Sequence, residues 1–105
     1  GYKAMLLLKD FRTGEKRKVI IDGKEVVVAY LGAGNFVAFS ARCTHLGCDL
    51  NEVGVIVGEE VVCQCHYSRF SLKDGRVTRG PAKEGLEVFD VKDLGEYVEV
   101  RRRGT

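Results

Sequence analysis

The sequence is short of what would send it into a membrane or onto a polyanion. Its longest apolar runs, 4–8 and 26–31, are five and six residues, against the ~20 that a helix needs to cross a bilayer. No charged, apolar and small-residue leader opens the chain, which begins at Gly1; Met5 as a native start and a longer, anchored parent are both compatible with that. Seventeen basic and fifteen acidic residues leave a net charge of +2, so nothing in the balance demands a nucleic acid. No window carries a 3.6-residue apolar stripe of helical length, and there is no low-complexity run, repeat or linker. A nucleophile–base pair is missing too, and "GAGN" at 32–35 lacks the G-x-G-x-x-G context of a phosphate loop and reads as a turn. The chain is therefore not expected to be an enzyme by itself. Proline occurs once, at 81, histidine twice and cysteine four times.

What is present is strand-forming. Segments 16–22, 24–31, 35–41, 54–63, 69–79, 85–93 and 96–103 are rich in Val, Ile, Phe and Tyr. They are punctuated by Asp22-Gly23, 32–35, Gly58-Glu59, Asp74-Gly75 and Leu94-Gly95. Asp22-Gly23 and Asp74-Gly75 read as tight hairpins, since glycine tolerates the positive φ such turns need. Seven short strands at this spacing predict an all-β fold, an antiparallel sandwich or partly open barrel. At 105 residues this is one domain with a modest core, a size at which a staple or a metal helps. The basic end, 100–105, reads as a solvated strand end.

All six cysteines and histidines lie in two runs, "CTHLGC" at 43–48 and "CQCH" at 63–66. Cys43-x-His45 is followed by seventeen residues and then Cys63-x-x-His66. Three chemistries compete. A structural zinc would accept two thiolates and two imidazoles, but Cys-x-His is tight for a zinc finger and Cys48 and Cys65 are left over. Two disulfides would use the cysteines and leave the histidines idle. An iron–sulfur cluster with two cysteine and two histidine ligands uses four residues and leaves one cysteine per run free to pair.

The two runs resemble the Rieske iron–sulfur protein family, in the pattern Cys-x-His-x-Gly-Cys … Cys-x-Cys-His of its disulfide-containing branch. Ser68 and "GPA" at 80–82 extend the resemblance, which is strongest over 41–83. It implies a Rieske-type fold with a cluster-binding subdomain at about 41–83 inserted into a base domain of 1–40 and 84–105. It implies one [2Fe–2S] cluster, with Cys43 and Cys63 on the inner iron and His45 and His66 on the outer one, and a Cys48–Cys65 disulfide. Such a bridge is worth about 3 kcal/mol in the chain-entropy account and would hold the two runs in register.

The function implied is one-electron transfer. Imidazole donates less charge to iron than thiolate, so Rieske centres span about −150 to +300 mV against about −400 mV for all-thiolate plant-type clusters. Ser68 is placed to donate its hydroxyl to a bridging sulfide, Leu46 to shield the cluster, and Pro81 to stiffen a third loop over it. Phe70 stands where the high-potential branch usually has a tyrosine donor, which predicts a lower potential. The imidazole N–H of each ligand is more acidic on oxidised iron, so the potential should fall as pH rises. The expected product is a soluble Rieske ferredoxin in the cytoplasm, serving redox protein partners at the His45/His66 edge. The alternatives are the extracytoplasmic head of a quinol-oxidising cytochrome bc-type complex and a component of an oxidoreductase such as an aromatic-ring dioxygenase. The extra cysteine pair weighs against the dioxygenase version.

Overall fold

The structure is a computed structural model that describes residues 2–104. Ten strands form two antiparallel sheets. The larger runs in the order β1 (Lys3–Leu7), β10 (Tyr97–Arg102), β9 (Val88–Asp93), β4 (Asn35–Ser40), β3 (Lys24–Gly32), β2 (Lys16–Ile21), and its edge strands β1 and β2 come into contact, so it nearly closes into a barrel. The smaller is β5 (Gly54–Val57), β6 (Glu60–Cys63), β7 (Arg69–Ser71), β8 (Val77–Arg79), preceded by the one-turn helix α1 (Leu50–Val53).

Strands β3 and β4 face two cores, one on each side of the larger sheet, which explains why Val26–Ala29 is continuously apolar rather than alternating. Val26, Val28 and Ala38 point into the barrel with Phe11, Ile21, Phe89, Val98 and Val100. Their neighbours Val27 and Phe39 point the other way, into a second core with Leu50, Val61, Phe70, Leu86 and Val88. A strand buried on both faces has no polar side to show. Cys43 and Cys63 belong to this second core, so the wall of the barrel is the floor on which the site stands.

Three expectations need correction. The segments 54–63 and 69–79 are each two strands, because Gly58-Glu59 turns the first and residues 72–76 turn the second. Asp22-Gly23 is a two-residue hairpin, with φ of 53° and 77° and Ile21 opposite Lys24. Asp74-Gly75 is not: it lies inside the longer loop, where the Ser71 and Gly75 amides bond to Arg76 and Ser71 carbonyls and the Asp74 carboxylate accepts from the Arg76 amide. The missed strand is β1, whose only pairing is with β10 at the far end of the chain. The basic end is tied down, with Arg101, Arg102 and Arg103 reaching Glu99, Glu87 and Asp90; Thr105 lies outside the described residues.

Candidate metal centre

The two ligand runs are one turn built twice. In the first, the Gly47 amide donates to the Cys43 carbonyl at 2.8 Å and the Cys43 amide to the Cys48 carbonyl at 3.0 Å. In the second, Tyr67 donates to Cys63 at 2.7 Å and Cys63 to Ser68 at 2.9 Å. The fifth residue of each turn is left-handed, Gly47 at φ 75° and Tyr67 at φ 65°. The spacing places the first residue of each turn, Cys43 and Cys63, inward, at 3% and 1% exposure.

These thiols face one another, and the backbone N–H groups of His45 and Leu46 are directed at the Cys43 sulfur. Burial pushes the Cys43 thiol up, the His45 amide pulls it down, and the neighbouring Cys63 thiol raises it again. The His45 and His66 rings lie 5.0 Å apart, nearly perpendicular. His45 is half buried and its Nδ1 is sealed from solvent with no hydrogen-bond partner; His66 is exposed. An orphaned buried imidazole nitrogen is costly, and an electron-pair acceptor at that point removes the cost. Cys48 and Cys65 are joined in a disulfide, Cα–Cα 6.7 Å. Their sulfurs lie within 4.8 Å of the Cys63 sulfur, but sulfurs already bonded to each other are not thiolate ligands, and Cys43 and Cys63 are the free cysteines among the described residues. Two buried thiols and two neighbouring imidazole rings are a donor set whose chemistry fits a metal group.

A third loop, 80–86, closes over both turns. The Ala82 amide donates to the Ser68 hydroxyl at 3.0 Å, the Thr44 hydroxyl donates to the Glu84 carbonyl at 2.7 Å, and the Leu86 amide donates to the Gly75 carbonyl at 2.7 Å. Ser68 is buried, and with its oxygen accepting from Ala82 its proton remains to be given away. Pro81 sits in this loop next to the Ala82 anchor, and Leu46 stands out at 67% exposure. Thr44 was not singled out from the sequence, and Gly75 entered only through a turn signal, not through its contact with Leu86. Nothing local marks these contacts, because the partners are forty and eleven residues away.

Loop 43–48 is held to the barrel by charge. Arg42 pairs with Glu25 and donates to the Gly47 carbonyl, and Lys18 pairs with Asp49 and Glu25. Asp49 also accepts from the Asn51 amide at 2.9 Å and so caps α1. Burial works to raise its pKa, but the Lys18 bond, the Asn51 amide and the Lys18 and Arg42 charges together hold the carboxyl below its ordinary value. With the folded pKa below the unfolded one, about 3.9, this stabilisation is complete above that range and is lost as pH falls through the folded value. Asp49→Ala is expected to cost about 1 kcal/mol at neutral pH. The gap to the wild type should close in acid, as urea midpoints at both pH values will show.

With fold and donors in place, the class is defined. The chain matches the Rieske [2Fe-2S] domain family over residues 2–90 and belongs to it; a Rieske domain carries a [2Fe–2S] cluster on two cysteines and two histidines. Among its relatives, the biphenyl dioxygenase ferredoxin subunit of Pseudomonas sp. (strain KKS102) is 32% identical over 81% of this chain and 77% of its own length. The cytochrome b6-f complex iron-sulfur subunit of Chlorobaculum tepidum (strain ATCC 49652 / DSM 12025 / NBRC 103806 / TLS) is 34% identical over 68% of this chain, but only 36% of that protein is covered. A solved complex of reduced oxygenase and oxidised ferredoxin in carbazole 1,9a-dioxygenase contains a chain that superposes with a TM-score of 0.81 at 26% identity, covering 95% of this chain and 93% of that one.

Phe70 is fully buried in the core beneath the cysteines and has no donor to offer a sulfur. A hydrogen bond to a charged acceptor contributes ~1.5 kcal/mol, or about 65 mV for a one-electron couple. Phe70→Tyr is therefore expected to raise the midpoint potential by about that amount. An unchanged midpoint with intact cluster absorbance would mean that the phenol does not reach a sulfur.

Proposed function

We propose that this chain is a one-electron carrier, a Rieske ferredoxin, holding a [2Fe–2S] cluster on Cys43, His45, Cys63 and His66 within a cluster-binding unit of about residues 41–83. The observation that carries this is a pair of buried, facing thiols on two turns whose imidazole rings lie 5.0 Å apart, one of them with a buried and unpartnered nitrogen. When bound, the cluster supplies a single reversible electron. The protein's part is to hold it. Cys43 and Cys63 anchor it in the second core, the His45 and Leu46 amides give hydrogen bonds to the Cys43 sulfur, and Ser68 has a proton free for the cluster. Such donors stabilise added negative charge. Leu46 shields the cluster from water, Pro81 keeps the third loop shut, and the Cys48–Cys65 bridge keeps the two turns together. His66 leaves an imidazole edge in solvent, the short path for an electron to a redox protein docked there.

The relatives favour a ferredoxin that shuttles between a reductase and a terminal acceptor such as an oxygenase, and we place it in the cytoplasm. Among the described residues no helix is long and apolar enough to cross a membrane. The disulfide and the likeness to a b6-f iron-sulfur subunit favour a second reading, the head of a quinol-oxidising complex, in which the same histidine edge meets quinol. Phe70 favours the first, since it lowers the potential.

Voltammetry of the purified holoprotein between about pH 5 and pH 11 tests this. The ferredoxin is expected to show one one-electron wave whose midpoint falls as pH rises above neutrality. A midpoint at the upper end of the Rieske range would favour the quinol chain. A colourless protein binding one zinc and giving no wave would overturn both.

A further inference from the structure

The two ligand turns impose the same left-handed fifth residue, and the chain meets that demand with glycine in one and tyrosine in the other. An aromatic L-residue is poorly suited to this conformation, and glycine, used twenty residues earlier for the same purpose, would fit it without strain. The Tyr67 ring does not recover the loss by packing, because it is 61% exposed. It follows His66 directly, as Leu46, exposed at 67%, follows His45. Strain kept at an exposed position is informative about function when the local structure needs only glycine.

Resting on the reading of the histidine edge as the electron port, we propose that Tyr67 is the aromatic anchor by which a protein redox partner docks there. Tyrosine is among the residue types enriched in interface hot spots, and its side chain has only two rotatable angles to order on binding. The charge around it defines the partner's chemistry. Lys83 lies between Ala82 and Glu84, which are bonded to the two ligand turns, and Arg79 opens the same loop. Neither cation has an ion pair among the described residues, against one such carboxylate, Glu84. The partner is therefore a redox protein with an apolar recess for the phenol ring and carboxylates at its rim.

Reduced flavodoxin, an acidic one-electron donor protein, is the probe, with dithionite as the small donor. One electron leaves the anionic flavin hydroquinone, giving the neutral semiquinone, and the oxidised holoprotein gains it. Stopped-flow second-order rates are compared for the wild type, Tyr67→Gly, Tyr67→Phe, Leu46→Glu and Lys83→Glu. Tyr67→Gly is expected to slow the flavodoxin reaction about ten-fold, Tyr67→Phe to keep most of the rate, and neither to alter the dithionite rate or the midpoint potential. Tyr67→Gly should also raise the melting temperature by about 4 °C, as relief of strain requires. Wild-type speed in Tyr67→Gly, with Leu46→Glu and Lys83→Glu slowed, would remove the anchor and leave the port standing. Wild-type speed in all four would remove the port itself. A midpoint shift in Tyr67→Gly would make the tyrosine a tuning residue of the cluster. A wild-type protein reduced by dithionite but not by flavodoxin would overturn the partner's chemistry.

Discussion

Gly75→Ala is expected to be among the most damaging single substitutions in the chain, although it adds one methyl group in a loop. Gly75 has φ 81°, and a Cβ there would lie 1.7 Å from the Leu86 carbonyl oxygen and 2.9 Å from its carbon. Both contacts are backbone, so no side-chain rotation relieves them. The same residue accepts the Leu86 amide at 2.7 Å, so pushing Leu86 away also breaks that bond and pulls at the loop that holds Ser68 and Thr44. The cost combines left-handed strain, about 1–2 kcal/mol, with displacement of a buried segment, and together about 4 kcal/mol is expected. Against a total stability of order 5–15 kcal/mol, that is loss of the third loop or of the fold. Gly58→Ala is the control, since Gly58 has φ 61° with nothing within 4 Å of its Cβ and should show the strain alone. Urea midpoints of the two variants and their cluster absorbance decide it. Equal midpoints would show that the approach of Leu86 is not what Gly75 is for.

The second large effect is expected from removing the disulfide as the double variant Cys48→Ser, Cys65→Ser. The bridge spans a sequence separation of 17, which the chain-entropy account values at about 3 kcal/mol. The barrel core shares no residue with it, so the chain should stay folded at a lower urea midpoint. The cluster should suffer more. Without the bridge, the two turns are coupled chiefly through the third loop, by Thr44 to Glu84 and Ser68 to Ala82, and small separations of the turns would admit water to the cysteine sulfurs. Absorbance should bleach faster in the variant. A midpoint within ~0.5 kcal/mol of the wild type and an unchanged bleaching rate would show that the third loop suffices.

Those two positions differ in how far they could be read from the chain. Cys48 and Cys65 lie inside the ligand runs, and the family pattern pairs them. Gly75 appeared only as part of a turn signal, and its real constraint comes from Leu86, eleven residues on. Tyr67 was hidden in a different way. Its equivalence to Gly47 is a property of hydrogen bonding within the turns; the two runs share only their first cysteine in register, and the histidines fall at different places, so residue type gives no sign that the fifth positions have the same conformation. The segment 24–31 was legible as a strand, but not the fact that its alternate residues feed two separate cores.

What the chain's own residues dictated was therefore local: strands from β-branched runs, the Asp22-Gly23 hairpin from two residues tolerant of positive φ, and two short turns each offering a sulfur and an imidazole. Those follow from interactions over a few residues, which residue type and spacing control directly. Only the tertiary structure decided which sulfurs are buried together, which imidazole nitrogen is left without a partner, that β1 pairs with β10, and that 80–86 straps the two turns. Each of these brings together groups distant in sequence, and their meeting is set by how the strands of the larger sheet pair and how the smaller sheet packs against β3 and β4.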